Sequence, residues 1–240
     1  MRMRRVGWAV EYLDEAEKLV RDPEAHAGQW KSLFTGDTQT DSLSTEDEQA
    51  AETGNRTDSP LCPQVPGRLH VEVGTGKGGY SLQMAALYPE ERFVAVEKND
   101  SAAGIAAKKY DEEGTDNLLL IWNDARFIDS WFAPEEVDVI HLNFSDPWPK
   151  NRNAKRRLSA DSFLRQYEKI LKPDGKLAMK TDNARLFEYS LLQFSKAGWP
   201  LLDASVDFRR EDHPEDAMTE YESKFAAEGK PIYRAVWRRK

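Results

Sequence analysis

The sequence predicts a doubly wound α/β domain built on a mostly parallel sheet of seven strands. Three observations carry this reading. From Arg68 onward, short apolar runs rich in β-branched residues alternate with helical patterns. The first apolar run leads into a glycine-rich turn, Gly74-Thr75-Gly76-Lys77-Gly78-Gly79, that opens a helix. Acids stand where successive strands should end, at Glu97, Asp124 and Asp146, and open α/β sheets bind ligands at that edge.

Taken in order, Trp8, Tyr12, Leu13, Ala16, Leu19 and Val20 recur at helical spacing. They predict an amphipathic helix, within residues 1–35, that packs on the following domain. Residues 36–66 hold almost no aliphatic side chains and seven acids against one arginine. That composition predicts a disordered acidic insertion. The main domain is expected over 67–240. Its strands are LHVEV (69–73), RFVAVE (92–97), NLLLIW (117–122), VDVIHLNF (137–144) and KLAMKT (176–181). Helices are expected through 81–88, 101–110, 159–171 and 184–198, with a short one before residue 137 and a Pro-Asp-Gly turn at 173–175. The last apolar segments, 201–208 and 231–237, predict an antiparallel hairpin at the sheet edge.

Composition excludes several classes. The chain carries 34 Lys and Arg against 42 Asp and Glu, a net charge of −8, yet the acidic segment alone holds −6 of it. The rest is close to neutral and contains basic clusters, so nucleic acid stays open as a partner. No apolar run approaches the length needed to span a bilayer, and a cytoplasmic protein without membrane contact is expected. A single cysteine, Cys62, and four histidines at positions 26, 70, 141 and 213 without ligand spacing predict neither disulfide nor metal.

The glycine turn satisfies GxGxxG through Gly74, Gly76 and Gly79, which by itself allows a dinucleotide. Glu72, two residues before Gly74, favours the cationic methionyl end of S-adenosylmethionine and disfavours a pyrophosphate. Glu97, 21 residues beyond Gly76, suits the two ribose hydroxyls, and Asp124 suits an adenine amino group. Past the fourth strand the chain reads NFSDPWPKNRNAKRRL. Pro147 and Pro149 fix φ and remove two donors, so a stiff corner should present Asp146 beside the flat ring of Trp148. Lys150, Arg152, Lys155, Arg156 and Arg157 follow within eight positions and suit a phosphate backbone.

These motifs, with EVGTGKG, KTDN and MTEYE in the same order, resemble the bacterial tRNA (guanine-N7-)-methyltransferases over nearly everything except 36–66. The resemblance implies a class I, Rossmann-like methyltransferase that moves a methyl group from S-adenosylmethionine to nitrogen 7 of a guanine in the tRNA variable loop. It implies that Glu72, Gly74, Gly76, Glu97, Asp124 and Asp146 hold the cofactor or line the transfer site, with Asp146 the catalytic candidate. Lys150, Asp182, Thr219, Glu220, Tyr221 and Glu222 would hold substrate, and Arg152, Lys155, Arg156 and Arg157 its phosphates. Asn153 stands where the family usually has histidine, and 36–66 has no evident counterpart. Asp182 and Asn183 also suit a helix cap. Tyr221 and Phe225, four apart, suit a core face, which leaves Thr219 and Glu222 as the exposed pair. No obligate protein partner is expected, and the chain should act as a monomer or homodimer. An NAD-dependent oxidoreductase and a non-enzymatic tRNA-binding module are the alternatives.

Overall fold

In a computed structural model, described over residues 4–34, 67–113 and 115–240, the chain forms one eight-stranded sheet flanked by helices. The acidic segment 36–66, with Cys62, lies outside the described residues. The strands are β1 (Leu19–Val20), β2 (Leu69–Val73), β3 (Arg92–Glu97), β4 (Leu118–Trp122), β5 (Val137–Asn143), β6 (Leu171–Thr181), β7 (Leu201–Ser205) and β8 (Tyr233–Arg238). Their order across the sheet is β1-β4-β3-β2-β5-β6-β8-β7. All pairs are parallel except β6 with β8 and β8 with β7. The winding reverses between β2 and β5, and the carboxyl ends of these two strands flank the crevice where such sheets bind ligands.

Helices α1 (Gly7–Tyr12), α2 (Gly79–Leu87), α3 (Asp100–Glu113), α4 (Ile128–Trp131), α5 (Asp161–Ile170), α6 (Ala184–Lys196) and α7 (Glu220–Ala227) cover the sheet. β2 is buried along its whole length, as expected for a strand covered on both faces. One apolar layer gathers Val71, Ile140, Trp131, Tyr167 and Trp237, and the other gathers Leu13, Tyr80, Phe93, Ala106 and Tyr110.

Two expectations change. The opening helix stops at Tyr12, and Leu19 and Val20 form an eighth strand paired with Leu120 and Ile121. Asp111 on α3 explains the break. Its carboxylate accepts hydrogen bonds from the Tyr12 hydroxyl (2.9 Å) and from the backbone N–H groups of Glu17 (3.1 Å) and Lys18 (2.9 Å), which turns the chain toward the sheet. The helix that remains lies close on α3, because Gly104 has no side chain: a Cβ there would fall 1.7 Å from the carbonyl oxygen of Ala9. The Pro-Asp-Gly segment is not a separate turn before a strand. β6 already pairs at Leu171 with Val137 and resumes at Lys176 with Val139, so 172–175 bulge opposite Asp138, which Lys172 meets at 2.7 Å.

Candidate active site

At the carboxyl end of β2 the chain folds over the end of β3. The N–H groups of Gly74 and Thr75 donate to the carbonyl of Val96 (2.8 and 3.0 Å). Gly74, Gly76 and Gly78 hold φ values of 83°, 60° and 77°, a conformation that side-chain-bearing residues rarely adopt. A Cβ on Gly76 would meet nothing within 4 Å, so the loop faces open space there. Glu97 closes the far side. One carboxylate oxygen accepts from the Gly76 N–H (2.9 Å), the other from those of Lys98 (2.8 Å) and Asn99 (2.7 Å). Burial pushes its carboxyl above the usual range against these three donors. Glu72 is buried and bridges four elements. It accepts from the hydroxyls of Thr75 and Ser81, both at 2.6 Å, and from the side-chain amide of Asn143 on β5 at 2.9 Å.

Asp124 begins the short 3₁₀ turn Ala125–Phe127. It caps the N–H of Arg126 (3.1 Å) and pairs with that residue's guanidinium at 3.1 Å. Two large aromatic residues that sequence reasoning passed over, Trp122 and Phe127, flank it with 42% and 54% of their surface exposed. Large apolar residues on either side of a capping acid at a strand end are the signal that marked them. Glycine loop, Glu97 and Asp124 thus share the carboxyl edge of β2, β3 and β4, open at Gly76, and their carboxylates fit the hydroxyl and amino donors of S-adenosylmethionine.

The corner after β5 is strained. Phe144 and Trp148 have φ of 49° and 41°, and each non-glycine residue held so costs on the order of 1–3 kcal/mol. Asp146, between them, is exposed. Lys150, Arg152, Lys155 and Arg156 are exposed as well, on or beside the 3₁₀ helix Asn151–Arg156, and the Arg156 guanidinium lies 5.0 Å from the centre of the Trp148 ring. Asn153 belongs to the same turn, its N–H donating to the carbonyl of Lys150 at 2.8 Å. Arg157 departs from the expected phosphate set. It is only 9% exposed, and its Nε and Nη2 donate to the carbonyls of Pro147 (2.9 Å) and Trp148 (3.1 Å). Its guanidinium also rests 4.2 Å from the Tyr189 ring centre.

On the other side of the crevice, Asn183 caps α6 through the N–H of Leu186 (2.9 Å), which leaves Asp182 exposed and free of that duty. Thr219 and Glu222 form a reciprocal capping box at the start of α7, with Glu220 as its first helical residue. The expected exposures are reversed. Thr219 is buried and Glu222 is 0% exposed, whereas Tyr221 is 62% exposed. Tyr221 and Phe225 do not enter the core but lie against Phe144, ring centres 6.1 and 6.2 Å away. Glu222 is drawn inward by charge.

Lys180 on β6 pairs with Asp216 (2.6 Å) and Glu222 (3.0 Å), and Arg209 pairs with the same two acids (2.7 and 2.9 Å). This closed ring of two cations and two anions is almost wholly buried. Burial would raise the Asp216 carboxyl, but Lys180 and Arg209 more than offset it and hold it below the ordinary range. Asp216 also accepts from the Tyr80 hydroxyl of α2 (3.0 Å), which sits 3.2 Å from His141, itself 3.0 Å from His70. The ring therefore ties the helix after the glycine loop to the start of α7. Lys180 had a legible signal, a lone charge inside the apolar run LAMKT; Arg209 and Asp216 had none.

Three comparisons with known proteins show what this chain is similar to. A family described as putative methyltransferase matches residues 66–235. The tRNA (guanine-N(7)-)-methyltransferase of Oceanobacillus iheyensis is 38% identical over 235 residues, covering 98% of this chain and 97% of that protein. That of Bacillus licheniformis is 40% identical over 241 residues, covering 99% and 100%. Among solved structures, a SAM-dependent methyltransferase from Aquifex aeolicus superposes with a TM-score of 0.52 at 15% identity, over 73% of this chain and 84% of that one, and shares the fold. With that identity along nearly its full length, beneath the glycine loop and the Asp146 corner just described, the chain belongs to the tRNA (guanine-N(7)-)-methyltransferase family.

Proposed function

We propose that the protein transfers a methyl group from S-adenosylmethionine to nitrogen 7 of a guanine in tRNA, in the variable loop. The observation that supports this reading is the 38–40% identity over nearly the whole chain to tRNA (guanine-N(7)-)-methyltransferases, in a fold that sets the glycine loop and the Asp146 corner at the ends of the paired strands β2 and β5. S-adenosylmethionine supplies a methyl group on a sulfonium centre, and a ring nitrogen with a free lone pair accepts it without prior deprotonation. The protein's share is therefore positioning and electrostatics.

Glu97 would hold the ribose, and the open side of the glycine loop at Gly76 would admit the methionyl end, with Glu72 fixing the loop from below through Thr75 and Ser81. Asp124 would take the adenine amino group. Orientation supplies roughly 7–11 kcal/mol in favourable cases. Asp146 would stabilise the positive charge that methylation leaves on guanine. Lys150, Arg152, Lys155 and Arg156 would bind phosphates, and Asp182 and Tyr221 would face the substrate, while Thr219 and Glu222 support them from within. Among the described residues no helix is long and apolar enough to cross a membrane. On this reading, the tRNA substrate of the proposed reaction is what puts the activity in the cytoplasm.

A tRNA with 7-deazaguanine at the target position keeps the base shape but replaces the acceptor nitrogen with carbon. It should bind the protein and gain no methyl group. Methylation of that base at the normal rate would reject nitrogen 7 as the acceptor.

A further inference from the structure

We propose that Arg157 is a positioning residue that holds the Asp146-Pro147-Trp148 corner in its strained shape, and that it touches neither tRNA nor cofactor. The inference rests on the methyl-transfer reading given above. Within the basic run, Arg157 alone is buried, and its donors are directed inward. Pro147 and Pro149 have no N–H, so the corner cannot join a regular ladder, and its carbonyls need donors from elsewhere. The Arg157 fork supplies them at two successive carbonyls, 2.9 and 3.1 Å away, on either side of the Trp148 Cα whose φ is 41°. A planar guanidinium can serve two acceptors in a fixed geometry, whereas an ammonium acts as a point charge. Tyr189 on α6 supports the guanidinium from beneath at 4.2 Å, and Arg156 covers the Trp148 ring at 5.0 Å. Asp146 precedes the pinned pair directly, so the direction of its carboxylate is set by how firmly those two carbonyls are held. A misplacement of about 1 Å at such a site is enough for a loss on the order of a hundredfold.

Arg157→Lys keeps the charge and removes the fork. The expected result is a kcat for tRNA methylation lowered by about ten- to a hundredfold, with KM for tRNA and the slope of log affinity against log salt unchanged. Arg156→Ala, in parallel, should flatten that slope by roughly 0.7–0.9, the loss of one phosphate contact. A flatter slope in Arg157→Lys, or an unchanged kcat, would overturn the proposal. Fluorine NMR of protein labelled with 5-fluorotryptophan gives a readout independent of activity. The Trp148 resonance, assigned by its loss in Trp148→Phe, should shift or broaden in Arg157→Lys while the other six tryptophans hold theirs. An unmoved Trp148 signal would also overturn it. Should Arg157→Lys fail to fold, Tyr189→Leu removes the ring beneath the guanidinium while keeping an apolar side chain against the core, and should move the same resonance and lower kcat in the same direction; no change in either would reject the assignment. If the wild-type protein does not methylate tRNA, the functional reading falls, while the resonance test of the corner stands.

Discussion

Replacing Lys180 by Met tests whether the buried charge ring holds the site together. The substitution roughly conserves volume but leaves Arg209 as the one cation of the ring paired with both Asp216 and Glu222, so the ring holds one uncompensated anion in a region almost closed to water. Breaking a buried pair in this way costs about 3–5 kcal/mol, against about 0.2–1 kcal/mol for an exposed one such as Arg165–Asp161. For a chain of this size that predicts a Tm lower by roughly 6–20 °C, with Arg165→Met as the small-effect control. Urea unfolding at pH 7 would measure the difference directly. The pH dependence adds a second check. In the wild type the depressed Asp216 carboxyl contributes stability that is fully present above its unfolded value of about 3.9 and is lost only as pH falls through the lower folded value. Without Lys180, the largest of the charges that lower it, that carboxyl moves up relative to the wild type, so acidification penalises the variant less and the gap should narrow between pH 7 and pH 4. A gap below about 1 kcal/mol at pH 7 would show that the ring contributes no more than a surface pair. A large gap that stays constant with pH would assign the loss to packing and refute the charge argument.

Asp146→Asn should lower kcat while leaving cofactor affinity within about tenfold. The carboxylate is exposed, so its worth at about 4 Å lies between about 1 kcal/mol in bulk water and about 4 kcal/mol at an effective dielectric near 20, or roughly one to three decades in rate, read by single-turnover methyl transfer. The two buried histidines predict acid sensitivity: burial holds His70 down at about 3 and His141 well below its ordinary value. Both stay neutral when folded and gain protons when unfolded below about pH 6.5, so together they remove about 2.7 kcal/mol of stability per pH unit under that value. Glu91, 3.7 Å from His70 and raised by burial, works in the opposite direction. His70→Gln should roughly halve the histidine slope between pH 6 and 5, and an unchanged slope in urea titrations would contradict the assignment.

Most of the architecture was legible because its signals are local. The alternation of LHVEV, RFVAVE, NLLLIW and VDVIHLNF with helical patterns is written in spacing, and the glycine turn and the two-proline corner are written in backbone chemistry. What failed depended on residues distant in sequence. Helical spacing continues through Leu19 and Val20, but Asp111, more than ninety positions away, takes the N–H groups of Glu17 and Lys18 and ends the helix. Thr219 and Glu222 read as an exposed pair because the pattern of a short helix does not reveal that two buried cations wait beneath one of its faces. Arg157 looked like its neighbours for the same reason. A run of five cations says nothing about which one turns inward.

That inward turn bears on how the corner reconciles two demands. A loop that, on the proposed function, presents an acid and an aromatic ring to tRNA must be exposed, yet exposed loops are ordinarily mobile. Here Phe144 and Trp148 occupy backbone conformations that cost energy, which persist only where surrounding contacts over-determine them. Those contacts come from three directions: the Arg157 fork on the carbonyls of Pro147 and Trp148, the Tyr221 and Phe225 rings against Phe144, and the Phe144 N–H, which donates to the carbonyl of Lys180 at 2.9 Å. The last of these joins the corner to the charge ring through a single residue, since the backbone of Lys180 holds Phe144 while its ammonium holds Asp216 and Glu222. A perturbation of the ring should therefore reach the Asp146 corner through β6, and Lys180→Met should lower kcat beyond what its loss of folded protein accounts for.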